Sequence, residues 1–254
     1  MKLKIFLYGL ILLSLVGSTN QVFAKNTMKT IGLLGGTGWS STISYYSLLN
    51  EMVNQKLGGY HSAKIILKSI DYHDIMSNYG KDYTKIAELL HQELTELIGL
   101  KPDCIIICCN SLHKYYDIIK DSLKCPVPVF HAVDLVAQKC KQKQYKTVLL
   151  LATKFTMEDG FFAKVLENFG IAVLIPQKEE RDQIDLIHKQ LMNNKATDEA
   201  QTYFQKLIES YTMADAVVLG CTEFPLVAKQ ETIKIPLLNP MELQVERALE
   251  YALE

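Results

Sequence analysis

An excess of charge of either sign is missing: 27 Lys and Arg stand against 28 Asp and Glu in 254 residues, and no basic run is interleaved with aromatics. Such a balance leaves no electrostatic footprint for nucleic acid. Cysteine is scarce, with six in the chain, which excludes a small scaffold built on disulfides. No CxxC pairs with a second CxxC or with an HxxxH, so no metal is expected. Tryptophan occurs once and arginine twice, as Arg181 and Arg247. No apolar run reaches the roughly 20 residues that a membrane-spanning helix needs. At 48% hydrophobic and 22% charged the composition is not that of a disordered chain, and the length suits one large or two modest domains.

The N-terminus has its own pattern. Lys2 and Lys4 precede an apolar stretch from Ile5 to Val16, and a polar segment then ends at Val22-Phe23-Ala24, a small-x-small cleavage signature. Residues 1–24 are therefore expected to be a secretory signal peptide, with a mature chain starting at Lys25 in a periplasm-like space and no membrane attachment after cleavage.

From there on, short β-branched runs alternate with helical patterns. Eight strands are expected: Thr30–Leu34, Lys64–Ile70, Asp103–Cys108, Val127–Phe130, Thr147–Leu151, Ile171–Ile175, Ala214–Leu219 and Ile235–Leu238. Segments with 3.6-residue apolar spacing, such as Tyr83–Ile98 and Gln201–Tyr211, lie between them. This alternation predicts an α/β fold with mainly parallel sheets covered by helices.

The halves of the chain repeat. Asp103 stands six positions before Cys109, and Asp215 six before Cys221, with an apolar strand between in each case. The expectation is two similar lobes with four-stranded sheets, related by pseudo-two-fold symmetry: residues 28–135 and 136–235, with the segment from about 236 to 254 packing back onto the first lobe.

The repeat puts one cysteine at the carboxyl end of a strand in each lobe, where open α/β sheets bind ligands. Facing across a cleft, Cys109 and Cys221 would approach one small molecule from opposite sides. A thiolate can take a proton from one face of a carbon while the opposing thiol delivers one to the other, which inverts a stereocentre. Each cysteine is also expected to open a helix whose dipole favours the thiolate. Asn110, Ser111 and Thr222, at those helix starts, are candidates to hold the α-carboxylate and ammonium of an amino acid. Cys104, Cys108, Cys125 and Cys140 are read as core or lobe-edge residues, with one disulfide open to an exported chain.

These residues resemble the cofactor-independent aspartate/glutamate racemases. Cys109-Asn110-Ser111-Leu112-His113 is similar to that family's C-N-T-x-H motif, and Gly220-Cys221-Thr222-Glu223 matches its G-C-T-E. The opening Ile31-Gly32-Leu33-Leu34-Gly35-Gly36-Thr37-Gly38-Trp39, with Tyr45-Tyr46 after it, is similar to one branch of the family. The resemblance implies racemisation of aspartate or glutamate without pyridoxal phosphate or metal, with the two cysteines as the acid/base pair, and a homodimer. It places Thr37 where the family usually has a substrate-contacting Met and Tyr79 where relatives often have a substrate-binding Gln. Arg181, at a family-like spacing after Pro176, becomes the candidate for the distal carboxylate. His113, one helical turn after Cys109, could tune that thiol or fill a structural role.

Other readings compete. Gly36-x-Gly38-x-x-Ser41 breaks the dinucleotide fingerprint, which disfavours an oxidoreductase. An exported, inactive protein that binds an amino acid or dicarboxylate would need neither thiol. A decarboxylase or cis–trans isomerase on the same scaffold stays open.

Overall fold

The structure is a computed structural model and describes residues 28–192 and 195–254. The expected signal segment, residues 1–24, lies outside the described residues. Among the described residues no helix is long and apolar enough to cross a membrane.

The first half runs β1 (Ile31–Gly35), α1 (Trp39–Leu57), β2 (Ile65–Ser69), α2 (His73–Met76), α3 (Tyr83–Gly99), β3 (Cys104–Ile107), α4 (His113–Leu123) and α5 (Ala132–Lys143). The second continues with β4 (Thr147–Leu151), α6 (Lys154–Asp159), α7 (Phe161–Asn168), β5 (Ala172–Leu174), α8 (Lys178–Leu191), α9 (Asp198–Ser210), β6 (Ala216–Leu219), β7 (Leu237–Leu238) and α10 (Pro240–Leu253). All pairings are parallel, in a three-stranded sheet ordered β2-β1-β3 and a four-stranded sheet ordered β5-β4-β6-β7. The central strands β1, β3, β4 and β6 are buried almost throughout, which accounts for their unbroken apolar runs.

The first sheet has one strand fewer than its repeat led one to expect. Val127–Phe130 contributes only a single bridge, between Ile105 and Val129. Pro126 and Pro128 supply no N–H, so one donor reaches each way: Ile105 N–H to the Pro128 carbonyl at 2.9 Å and Phe130 N–H to the Ile105 carbonyl at 3.0 Å. The second sheet has the same device, with Val217 N–H donating to the Pro236 carbonyl at 2.8 Å, and β7 is correspondingly only two residues long.

The repeated aspartates have a structural job. The Asp103 carboxylate accepts from Thr30 N–H at 2.6 Å, and that of Asp215 accepts from Lys146 N–H at 2.7 Å and Thr147 N–H at 2.9 Å. Each clamps the start of its own strand beside the central strand of its sheet. The cysteine six positions on is thereby carried to the opposite, carboxyl end.

Helix α3 follows its sequence pattern. Asp82 caps it by accepting from Lys85 N–H, and Ile86, Leu90, Leu94 and Leu97 form the buried stripe. The C-terminal helix α10 starts at Asn239 with Pro240 in its first turn. It sends Met241, Val245, Ala248, Leu249 and Ala252 into the core built on Ile31, Leu33, Cys104 and Ile106 of the first sheet. Gln244, fully buried on the same helix, accepts from Tyr45 Oη at 2.5 Å, donates to the Phe130 carbonyl at 2.7 Å and meets His113 Nε2 at 3.3 Å. His113 is thus a core residue, held between Gln244 and the Ala132 N–H and pushed well below the usual histidine range by burial, and it does not line the candidate site.

Candidate active site

Two loops at the carboxyl ends of the sheets build the site, and they leave their strands alike. Cys108 N–H donates to the Leu34 carbonyl at 3.0 Å in one lobe, and Gly220 N–H to the Leu151 carbonyl at 2.6 Å in the other. One residue further along, Cys109 and Cys221 line a single cavity of about 550 Å³. Thr37, Tyr79, Asn110, Ser111 and Thr222 line it too.

Gly36 permits the approach of the first loop. Its φ is +83°, and a Cβ there would sit 2.1 Å from the Ile70 carbonyl oxygen. The next residue, Thr37, is buried and donates to the Cys108 carbonyl at 3.2 Å, fixing the loop over the end of β3.

Cys109 is partly exposed, with Ser111 Oγ at 3.3 Å and Tyr72 Oη at 3.6 Å from its sulfur. Tyr79 Oη completes the cluster, 2.9 Å from Ser111 Oγ and 3.3 Å from Tyr72 Oη. Burial, and next the charge Cys109 carries when ionised, push both phenols above their usual range, so they stay protonated and able to donate.

Cys221 is buried and donates to Glu223 Oε2 at 2.8 Å. Burial pushes its thiol well above the usual range, and the Glu223 carboxylate adds to the shift. The expected helix dipole is absent here. A single 3₁₀ turn, Phe224–Leu226 with Pro225 inside it, follows Cys221, so no aligned peptide stack points at the sulfur. The two thiols therefore sit in unlike surroundings, with Cys221 held as the protonated partner. Cys109 opens a short 3₁₀ turn, Asn110–Leu112, that leads into α4. All six cysteines are free thiols, and burial pushes Cys104 up to about 12 and Cys140 up to about 11, which leaves those two unreactive.

The lobes are tied across the site. Asn110 Nδ2 donates to the Gly220 carbonyl at 3.0 Å, and Ser41 Oγ lies 2.5 Å from Thr222 Oγ1 and donates to Glu223 Oε1 at 3.2 Å. The bond to Gly220 commits the amide nitrogen of Asn110 and turns its oxygen the other way. That Oδ1 is buried without a partner.

Arg181 is not brought to the site. Its guanidinium bonds Glu158 at 3.1 Å and the Pro176 carbonyl at 2.7 Å, away from the cavity lining. Among the described residues, the lysine or arginine that does line the cavity is Lys154, at the start of α6, paired with Asp182. Sequence reasoning passed over it, together with Ser41, Tyr72 and His188. Glu223 was visible in the G-C-T-E motif without a role attached. His188 lies on α8 and stands 3.9 Å from Glu223 Oε2. Its pattern in the sequence is that of any helix.

Fold and site together define a two-lobed α/β protein with one strand-end thiol from each lobe in a shared cavity. The chain belongs to the Asp/Glu/Hydantoin racemase family, whose model matches residues 34–248. It is 24% identical over 219 residues to the broad specificity amino-acid racemase RacX of Bacillus subtilis, covering 82% of this chain and 92% of that protein. The crystal structure of PH1733, an aspartate racemase homologue from Pyrococcus horikoshii, superposes with a TM-score of 0.79 at 28% identity, over 89% of this chain and all of that one. Similarity to the glutamate racemase of Actinobacillus pleuropneumoniae serotype 3 is 26% over 131 residues, so the match spans about half of that curated relative (48%) and 51% of this chain.

Proposed function

We propose that the protein racemises an acidic amino acid, aspartate or glutamate, without pyridoxal phosphate or metal, using Cys109 and Cys221 as the acid/base pair. The observation that carries this is the placement of both strand-end thiols, one from each lobe, in one cavity large enough for an amino acid. Membership of a racemase family supports it.

In the proposed reaction one sulfur, as thiolate, takes the α-proton and becomes a thiol. The opposing thiol gives its proton to the other face of the α-carbon and becomes a thiolate, so one proton leaves the substrate and one arrives. Before turnover Cys221 is the thiol, because burial and Glu223 keep it protonated. Cys109 is then the base for the enantiomer whose α-hydrogen faces the first lobe, and the roles exchange in the reverse direction. Asn110 Oδ1, covered and unpartnered beside the cavity, would be freed for the α-ammonium by a small turn of its side chain, while Ser111, Thr222 and the phenol of Tyr79 offer donors to the α-carboxylate. Lys154 replaces Arg181 as the cation for the distal carboxylate. Thr37 bounds the same cavity.

We also propose a homodimer. Helix α1 exposes Trp39, Ile43 and Tyr46 along one side, which supplies apolar surface for a second copy. A monomeric mass by sedimentation at micromolar concentration would remove that part.

The substrate reading is tested by incubating each enantiomer of aspartate and glutamate in deuterated water with no cofactor added. Loss of the α-proton signal together with appearance of the opposite enantiomer is expected. Turnover confined to neutral or basic amino acids would overturn the acidic assignment.

A further inference from the structure

The Cys221 side of the cavity has a feature that proton transfer does not require. The Cys221 sulfur, the Glu223 carboxylate and a nitrogen of His188 all lie within 4.8 Å of one another. Among the described residues, this is the one group of three such donors close enough to share a metal ion. Cys221 and Glu223 are both 8% exposed, and His188 closes the group from α8.

The spacing is near that of a tetrahedral site. Bond lengths of about 2.3 Å to sulfur and about 2.0 Å to nitrogen or oxygen place neighbouring donors roughly 3.3–3.5 Å apart. The sulfur stands 2.8 Å from Glu223 Oε2, and His188 Nε2 stands 3.9 Å from the same oxygen. Opening the first gap and closing the second by about 0.6 Å each, and drawing the His188 ring toward the sulfur, which lies within 4.8 Å of its nitrogen, would bring all three donors to that spacing.

The surroundings also fit. Glu223 Oε1 is oriented by Ser41 and Oε2 by Thr222 at 3.0 Å, while the His188 ring packs edge-on against Phe224. A thiolate and a carboxylate together cancel the charge of a divalent ion. Sulfur with imidazole nitrogen selects zinc-like ions over magnesium or calcium. All three residues line the cavity, so a fourth ligand would come from its interior.

We propose that Cys221, Glu223 and His188 form a binding site for one thiophilic divalent cation of the zinc class, and that filling it switches off racemisation. The second half rests on the two-thiol reaction proposed above. On binding, the Cys221 S–H bond breaks, its proton goes to solvent and a sulfur–metal bond forms, with no change of oxidation state. The sulfur then has no proton to give, and its basicity is lowered by the bond to the metal.

The test uses cobalt(II) as a visible stand-in for zinc, titrated into the chain under anaerobic conditions without added thiol. One ion per chain should bind with a thiolate-to-cobalt charge-transfer band that zinc displaces. Cys109→Ser should keep the band and Cys221→Ser should lose it. His188→Gln should weaken the ion at least about tenfold, the lower end of what even an outer-shell partner costs. Absence of the band, its survival in Cys221→Ser, or unchanged affinity in His188→Gln would overturn the site. Zinc that binds there without inhibiting aspartate or glutamate racemisation would overturn the switch. Cobalt binding that depends on Cys221 and His188, in a chain that racemises neither acid, would leave the site standing and remove the racemase reading. Racemisation without the band would do the reverse.

Discussion

Replacing Asn110 by Ala separates the clasp that the structure gives this side chain from the substrate contact proposed for it. Its nitrogen clasps the Gly220 carbonyl of the opposite lobe at 3.0 Å, and its oxygen is buried with no partner of its own. Truncation leaves the Gly220 carbonyl unsatisfied beside the site, which costs about 1–3 kcal/mol of stability and lowers the melting temperature accordingly. It also removes the proposed acceptor for the substrate ammonium. A hydrogen bond to a charged group is worth about 1.5–3 kcal/mol, so kcat/KM for the preferred acidic amino acid should fall roughly 10- to 150-fold beyond any loss of folded protein. The assay is racemisation followed by circular dichroism well below the melting temperature, with folded fraction measured in parallel. Asn110→Asp keeps an acceptor toward the ammonium but loses the donor to Gly220. It should therefore show the stability loss without the same fall in kcat/KM. If Asn110→Ala melts early yet keeps its kcat/KM, the residue is only a clasp and the ammonium is held elsewhere.

Three further outcomes are expected. Glu223→Gln removes the carboxylate that helps push the Cys221 thiol up, so the thiolate fraction at neutral pH rises; alkylation of Cys221 by iodoacetamide, read by mass spectrometry, should quicken and its pH profile move to lower pH, whereas an unmoved profile would show that burial alone sets the thiol. Lys154→Met should raise KM for aspartate and glutamate by roughly tenfold or more through loss of a charge-assisted contact, and Arg181→Met should not; a rise confined to Arg181→Met would return the distal carboxylate to Arg181. Gln244→Leu strands Tyr45 Oη and the Phe130 carbonyl in the core, while His113 Nε2 keeps the Ala132 N–H, and should destabilise by about 2–6 kcal/mol in urea unfolding, so a loss below about 1 kcal/mol would mean that water or rearrangement satisfies them.

Much of the fold was legible because its signals are local or repeated. The runs at Ile31–Gly35, Cys104–Ile107, Thr147–Leu151 and Ala216–Leu219 are central strands covered on both faces, and such strands show continuous apolar character. The Asp-to-Cys spacing of six recurs because one carboxylate clamps the start of each strand and the cysteine marks its end. Val127–Phe130 has the apolar content of a strand, but two prolines remove the donors that a longer ladder needs. The helix expected after Cys221 failed for a related reason: Pro225 and a loop of buried residues leave a single tight turn. Residues near Cys109 and Cys221 in sequence, Asn110, Ser111 and Thr222, line the cavity because the loops that carry the thiols also carry them. Thr37 and Tyr79 came from the family resemblance, and both line the cavity. Lys154 and His188 reach it from α6 and α8, distant elements brought together only by tertiary packing. Arg181 was chosen because arginine is scarce and the distal carboxylate wants a cation. Its real partners, Glu158 and the Pro176 carbonyl, are a salt bridge and a local backbone contact that spacing alone could not separate from a ligand contact.

The central claim is that the two sulfurs act on opposite faces of one α-carbon, and stereospecific exchange in the single-thiol variants tests it most directly. Cys109→Ser and Cys221→Ser, each shown to be folded, are incubated with the separate enantiomers of the preferred amino acid in deuterated water. Racemisation should fall by at least roughly 100- to 10,000-fold in both, the usual cost of losing a general acid or base. Each variant should still wash the α-hydrogen out of one enantiomer with retention of configuration, and the two variants should choose opposite enantiomers. Near-normal racemisation in either variant, or exchange of the same enantiomer by both, would contradict a two-face, two-thiol mechanism.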